Sequence, residues 1–210
     1  MDVAFIDASA SVGLETIKRT LVWNHKLTML SRFEINLPNH SNLKTLKGNA
    51  ITKAKLKRAV ENADTVLAAL VTGKSRKATT LYSDFAKLLV EVQTESYTQL
   101  PFIVLTGFGA RDSGKYNSFF MRLLFKLLLK DVYSDKTKME EIITASKMVW
   151  EIVRNGMLKY KSLTKKYCVE KKFYKGLNIG SINRPDVADY LVKKTENATE
   201  LYKYISLSNK

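Results

Sequence analysis

Val3-Ala4-Phe5-Ile6-Asp7-Ala8-Ser9-Ala10-Ser11-Val12-Gly13 opens the chain with four apolar residues, a turn of small and polar ones, and the start of a helical pattern. The apolar run is short and continuous, as in a strand covered on both faces. Ser9, Ala10 and Ser11 form a natural N-cap region. Val12, Leu14, Ile17, Leu21 and Val22 then recur at helical spacing. A strand that feeds a helix through such a turn points the first helical N–H groups, and the positive end of the helix dipole, at whatever lies beyond the strand.

The same alternation continues outward. Leu27-Thr28-Met29-Leu30 reads as a second strand, and Leu43-Lys44-Thr45-Leu46 as a third that ends at Gly48. Thr52 is placed to cap a helix carrying Ala54, Leu56, Ala59 and Val60. A fourth strand covers Thr65-Val66-Leu67-Ala68-Ala69-Leu70, and a long helix covers residues 80–97 with Phe85, Leu88, Leu89 and Val92 on one face. Pro101-Phe102-Ile103-Val104-Leu105 and Val149-Trp150-Glu151-Ile152-Val153 supply strands five and six. Strand–helix alternation implies right-handed crossovers and a parallel sheet. The expected fold class is α/β, a doubly wound, Rossmann-like parallel sheet flanked by helices, in a single domain over residues 1–210. After about residue 155 the pattern loosens, with Gly156, Gly176, Gly180 and Pro185. A small cap-like C-terminal part over about 155–210 is expected, with a helix over 184–194 and a short strand near 202–207. In this fold ligands bind beyond the carboxyl ends of the strands, where the strand order reverses. That directs attention to residues 7–13, 30–32, 70–73, 106–110 and 154–158.

Composition narrows the chemistry. The 210 residues carry a net charge of +15, with one cysteine, Cys168, and two histidines, His25 and His40. Neither an intrachain disulfide nor a Cys/His zinc cluster can be built from these, so no metal is expected. His25 reads as part of the turn into the second strand, and His40 as a loop residue. The first residues lack a basic segment followed by a long apolar core, and no run of about 18 apolar residues occurs, so a cytoplasmic protein is expected. The positive surplus invites a polyanion-binding reading. Only 8 basic residues are Arg, however, against 27 Lys, and the lysines are dispersed. Bidentate base and phosphate recognition favours Arg, which argues against a nucleic-acid partner. Phe119-Phe120-Met121-Arg122-Leu123-Leu124-Phe125-Lys126-Leu127-Leu128-Leu129-Lys130 is amphipathic, with Arg122, Lys126 and Lys130 on one stripe. It is expected to pack on its own sheet with the stripe in water, rather than on an anionic membrane.

The motifs in order carry a family resemblance. The turn Asp7-Ala8-Ser9-Ala10-Ser11-Val12-Gly13 resembles the G-A-T/S-G-x-x-G turn of the atypical short-chain dehydrogenases with NAD(P)H-binding domains. That group includes NmrA-like proteins and the flavin reductase/biliverdin reductase B branch. Arg32 stands at the family's V-R-x-P arginine, and Lys47-Gly48-Asn49 corresponds to its G-D. Further matches are Ala63-Asp64-Thr65-Val66, Val104-Leu105-Thr106-Gly107, Trp150-Glu151-Ile152-Val153-Arg154-Asn155-Gly156 and Arg184-Pro185-Asp186-Val187-Ala188-Asp189. The resemblance implies a cofactor site at Ser9, Ala10, Ser11, Val12, Gly13, Arg32, Asn49 and Leu70. It implies NADP, because Arg32 stands where a basic residue meets the 2′-phosphate, with Glu34 as a nearby acidic neighbour. Two departures stand out. Ala10 replaces the second glycine, and Asp7 replaces the first. A carboxylate about 4 Å from a diphosphate repels it by about 1–4 kcal/mol for effective dielectrics of roughly 80 down to 20. Val71 also stands where the family often has glycine.

The expected reactive end contains Thr106, Lys136 and Tyr133. Relatives carry Ser or Thr at the place of Thr106, whose hydroxyl would donate to a substrate or bridge to a catalytic water. Tyr133-Ser134-Asp135-Lys136 resembles the Y-x-x-x-K pair of ordinary short-chain dehydrogenases, in which Lys lowers the Tyr pKa. Here the spacing is one residue short, so the two side chains need not face the same way. The leading expectation is NADPH-dependent hydride transfer to a flavin or a small carbonyl or quinone-type acceptor. The alternatives are a non-catalytic Rossmann-fold binding or regulatory protein that has lost tight cofactor binding, and a polyanion binder.

Overall fold

The computed structural model describes all residues except 8–10, 38, 73–77, 97–98, 117–126, 128, 175–176, 178 and 210, with the side chain of Ser11 also outside the description. Ser9, Ala10 and nearly all of the amphipathic segment 119–130 therefore lie outside the described residues. The strands are β1 (Asp2–Ile6), β2 (Lys26–Ser31), β3 (Leu43–Lys47), β4 (Thr65–Ala68), β5 (Phe102–Leu105), β6 (Trp150–Asn155), β7 (Met157–Lys159), β8 (Tyr167–Glu170), β9 (Ser181–Asn183) and β10 (Lys203–Asn209). The helices are α1 (Ser11–Val22), α2 (Lys53–Val60), α3 (Leu81–Ser96), α4 (Lys130–Ala145) and α5 (Arg184–Glu196), with a 3₁₀ turn at Arg111–Tyr116. The main sheet runs β3-β2-β1-β4-β5-β6-β10-β8. Every neighbouring pair in it is parallel except β10 with β8. Strands β7 and β9 pair separately. This is the expected doubly wound Rossmann-like architecture.

The period-two alternation of strand side chains divides the core into two layers. Ala4, Ile6, Val66, Val104 and Ile152 face α2, α3 and α4, where they meet Leu56, Phe85, Leu89, Met139 and Ile143. Val3, Phe5, Leu67, Ile103 and Val153 face α1 and α5, where they meet Ile17, Val187 and Leu191. The central strands β4 and β5 are buried at every position, whereas edge strand β3 buries only Leu46. Continuous apolar runs thus mark central strands, and interrupted ones mark the edge.

Several local expectations shift by a few residues. Strand β4 ends at Ala68, two residues before Leu70, because the Val71 N–H and C=O turn to side chains instead of a neighbouring strand. Thr52 occupies the N-cap of α2 in an extended conformation, but its side chain makes no cap bond. The Lys55 and Leu56 N–H groups bond its carbonyl instead. Helix α5 runs two residues past Lys194, with Pro at its start, where the missing N–H costs nothing. Of the C-terminal residues, β10 inserts beside β6 and β8 closes that edge, so both belong to the main sheet. His25 is buried just before β2, 3.1 Å from Glu196.

Helix α3 has its cap supplied from afar. Asp135, on α4 and buried, accepts bonds from the N–H groups of Tyr82 (2.9 Å) and Ser83 (3.3 Å). A carboxylate at this end satisfies orphan donors and complements the dipole. Asp135→Ala should therefore lower unfolding free energy by about 2 kcal/mol, read by urea denaturation, whereas Asp135→Asn should lose less.

Candidate active site

The strand order reverses between β1 and β4, and residues from their carboxyl ends meet there. Asp7, directly after β1, has φ +56° and is buried. Its N–H donates to the Leu30 carbonyl at 2.8 Å, which fixes the turn against β2. Its carboxylate accepts bonds from Arg32 Nη2 (3.1 Å), Arg32 Nε (3.4 Å) and the Val71 N–H (3.4 Å). Arg32 Nη2 also donates to the Val71 carbonyl at 2.7 Å. Asp7, Arg32 and Val71 thus form a closed clasp across the ends of β1, β2 and β4. The ion-pair partner of Arg32 is Asp7 and not Glu34. Among the other expected cofactor residues, Val12 buries its side chain in the layer beneath α1, so only its backbone faces the helix start. Gly13 is buried in the first turn of α1, and Leu70 is buried beside the clasp. Asn49 is half-buried, and its Oδ1 accepts the Ile51 N–H at 3.2 Å.

A second cluster lies beyond β5. Thr106 is buried, and its hydroxyl donates to Glu140 Oε1 at 2.8 Å. Lys136 Nζ donates to the Thr106 carbonyl at 2.7 Å. Tyr133 and Lys136 share one face of α4, because residues three apart are neighbours on a helix. The short spacing therefore does not separate them. The Lys136 ammonium lies 5.2 Å from the Tyr133 ring centre and 5.3 Å from that of Tyr82. Gly107 completes the floor at φ +154°, and a Cβ there would sit 2.9 Å from the Tyr133 hydroxyl and 3.6 Å from Lys136 Nζ. Only glycine permits both the backbone conformation and this approach.

The titration of this cluster differs from the expected pattern. Burial pushes the Tyr133 phenol up to about 12, with Tyr82 and Glu140 adding to the effect. Lys136 falls to about 8 through burial, partly opposed by Glu140. Desolvation thus acts on each group against its charged form. At neutral pH Tyr133 is a phenol able to donate, not an activated phenolate.

The group that sequence reasoning missed is the buried ion pair beneath Thr106. Arg154 on β6 donates to Glu140 through Nη2 (2.6 Å) and Nε (3.2 Å), and through Nη1 to Asp112 at 3.0 Å. Arg154 and Glu140 are both fully buried. The Arg154 guanidinium lies 4.1 Å from the Tyr204 ring centre. Paired in this way, the Glu140 carboxylate only accepts hydrogen bonds. Thr106 therefore directs its hydroxyl proton to Glu140. The available signal was Glu151 and Arg154 inside an apolar strand run, since a charge there must find a partner.

The model of the NAD(P)H-binding family matches residues 8–198. The chain belongs to that family. Among solved structures it is similar to a candidate NADH-flavin reductase from Streptococcus pneumoniae (20% identity, all of both chains, TM-score 0.80). It is also similar to a short-chain dehydrogenase/reductase from Veillonella parvula in complex with NADP (14% identity, 99% of this chain and 94% of the other, TM-score 0.81). A third is an anaerobilin reductase from Escherichia coli (16% identity, 100% and 97%, TM-score 0.77). At such identities the likeness is one of fold. No curated protein matches the chain by sequence.

The donor set suits the NAD(P)H-binding family's ligand. Arg32 and the Val71 N–H already converge on an anion, the Asp7 carboxylate, and α1 begins at Ser11, four residues further on, with the first-turn N–H groups that have no partner within a helix. At Gly107 a Cβ would crowd the Tyr133 hydroxyl at 2.9 Å, so the backbone there is left bare beside Tyr133 and Lys136. Among the described residues no helix is long and apolar enough to cross a membrane, and no His, Cys, Asp and Glu side chains are grouped to hold a metal.

The ion pair sets a testable energetic term. Arg154→Met should destabilise the fold by about 3–5 kcal/mol in a denaturant titration, because Glu140 is left charged and buried. Combining it with Glu140→Met should recover most of that loss.

Proposed function

We propose that the protein is an NADPH-dependent reductase that passes hydride to a flavin or to a small carbonyl or quinone-type acceptor. The observation that carries this reading is the convergence of Thr106, Tyr133 and Lys136 on Gly107, at the carboxyl end of the strand next to the switch-point pair. When bound, the reduced nicotinamide supplies the hydride. The turn at Ser9, Ala10, Ser11, Val12 and Gly13 holds the diphosphate, Arg32 meets the 2′-phosphate, and Asn49 and Leu70 flank the adenosine. Lys136, tethered to the Thr106 carbonyl, holds the nicotinamide ribose. Tyr133, kept as a phenol by burial, offers a proton donor beside it. Thr106 offers an acceptor, suited to an amide N–H. Catalysis here is chiefly the positioning of donor and acceptor, which supplies much of the rate in hydride transfer.

The likeness to an anaerobilin reductase and to a candidate NADH-flavin reductase supports a reductase reading with flavin among the acceptors. A second reading, a binding module that no longer takes the nucleotide, is favoured by one observation: Asp7 in the clasp. Calorimetry separates them. Nucleotide binding, followed by oxidation of NADPH on adding FMN or a quinone, supports the reductase, and no heat at millimolar NADPH excludes it.

Lys136 should give this binding a pH dependence. Its ammonium, lowered to about 8, is charged below that pH and neutral above it. Affinity for the anionic nucleotide should be highest below about pH 8 and fall as the pH rises through it. Lys136→Met should bind more weakly at pH 7 and lose the inflection. Tyr133→Phe should lower turnover with a carbonyl acceptor by about 10²-fold or more while leaving NADPH affinity within a small factor.

A further inference from the structure

The Asp7–Arg32 clasp has a consequence for which nucleotide the site prefers. Three N–H groups of Arg32 are committed: Nε and one Nη2 proton to Asp7, the other Nη2 proton to the Val71 carbonyl. The Nε/Nη2 edge is the one a phosphate grips with two parallel bonds. The Val71 N–H, which would also suit an anion, points at the same carboxylate. Asp7 is buried, so its charge is not diluted by solvent, whereas Arg32 is half-buried and reachable from outside. The Asp7 backbone sits at φ +56°, a conformation that Asp tolerates and Gly adopts freely. The carboxylate is thus placed by the turn itself, on the arginine edge that a phosphate would grip.

We propose that Asp7 is a specificity-determining residue, an internal anion that competes with the 2′-phosphate of NADPH for Arg32 and so narrows the site's preference for NADPH over NADH. The inference rests on the nucleotide-binding part of the function proposed above, and not on hydride transfer. A 2′-phosphate reaching Arg32 must displace the Asp7 carboxylate or share the guanidinium with it, two anions on one cation. NADH, whose ribose carries a hydroxyl at that position, meets no such competition, and its hydroxyl can donate to the carboxylate. Diphosphate repulsion by Asp7 weakens both nucleotides alike and leaves their ratio unchanged. The ratio therefore isolates the competition.

The test uses adenosine 2′,5′-bisphosphate against AMP, and NADPH against NADH, in calorimetric titrations of the intact protein, Asp7→Gly, Asp7→Asn and Asp7→Gly/Arg32→Ala. Asp7→Gly should raise affinity for the two 2′-phosphorylated ligands about ten- to hundredfold more than for their counterparts, the scale of one charged hydrogen-bonded contact. Asp7→Asn, which keeps the shape and removes the charge, should shift the ratio in the same direction. Adding Arg32→Ala should erase the gain. Equal gains for both members of each pair, no gain in a folded Asp7→Gly or Asp7→Asn protein, or a gain that survives Arg32→Ala would each overturn the proposal. If NADPH binds with the predicted ratio but is never oxidised by an acceptor, the reductase reading fails and this one stands. If no nucleotide binds any variant, both fall.

Discussion

A buried charge must be matched where it lies, and the Arg154–Glu140 pair imposes that condition on the sheet's carboxyl edge. Arg154 leaves β6 and Glu140 leaves α4, and neither reaches water. The 2.6 Å contact between them ties the strand to the helix at one register only. Asp112 adds a third point through the turn after β5. Thr106, Gly107, Tyr133 and Lys136 all sit on segments held by these three anchors. Replacing such a pair with apolar residues of similar volume need not weaken a fold. What the charges add is direction: a carboxylate with four acceptor positions dictates where a hydroxyl proton points, as a methionine would not.

The clasp of Asp7 with Arg32 repeats this principle at the switch point, with the opposite exposure. There the carboxylate is buried and the guanidinium half-buried, so the pair presents its cation outward. The two ion pairs divide the labour along the sheet edge. The inner one orients neutral polar groups around Gly107. The outer one offers a cation whose availability depends on its own internal partner. Most of the +15 surplus lies instead on dispersed lysines, such as Lys53, which pairs with Glu91 and Glu95 on the surface of α3. Exposed pairs of that kind contribute little to stability, so net charge says less about the ligand than two arginines in defined places.

The parallel sheet was legible because its central strands are uninterrupted apolar runs separated by helical periodicity. Strand β8 was not. Tyr167-Cys168-Val169-Glu170 lies between lysines and is half-buried throughout, as an antiparallel edge strand is. Strand β10 was expected as a short terminal piece, yet its Ile205 and Leu207 enter the core beside β6. Pairing across 50 residues leaves no local trace. At the site, residue types were legible and their partners were not. Arg32 was found from its place after β2, but its bond to Asp7 spans 25 positions. Thr106 was found from its motif, but the direction of its proton depends on Glu140, 34 residues away. Sequence spacing also misled at Tyr133 and Lys136, since a motif defined by four-residue steps ignores that three-residue steps share a helix face.

For the proposed reductase, these contacts constrain how a proton would reach an acceptor. Thr106 is ruled out as its immediate source, because its hydroxyl proton points at Glu140, and Glu140 is itself saturated by Arg154. Tyr133 holds its proton tightly, at about 12, and Lys136 loosely, at about 8. An acceptor that becomes strongly basic on reduction, such as an alkoxide, can draw a proton from the phenol, and Lys136 stands close enough to stabilise the phenolate left behind. An acceptor that becomes a weakly basic anion, such as a reduced flavin or a hydroquinone, has no need of that transfer and can take its proton from solvent. Under the proposed function, the same side chains would therefore serve both acceptor classes, and Tyr133 would be required only by the more basic one.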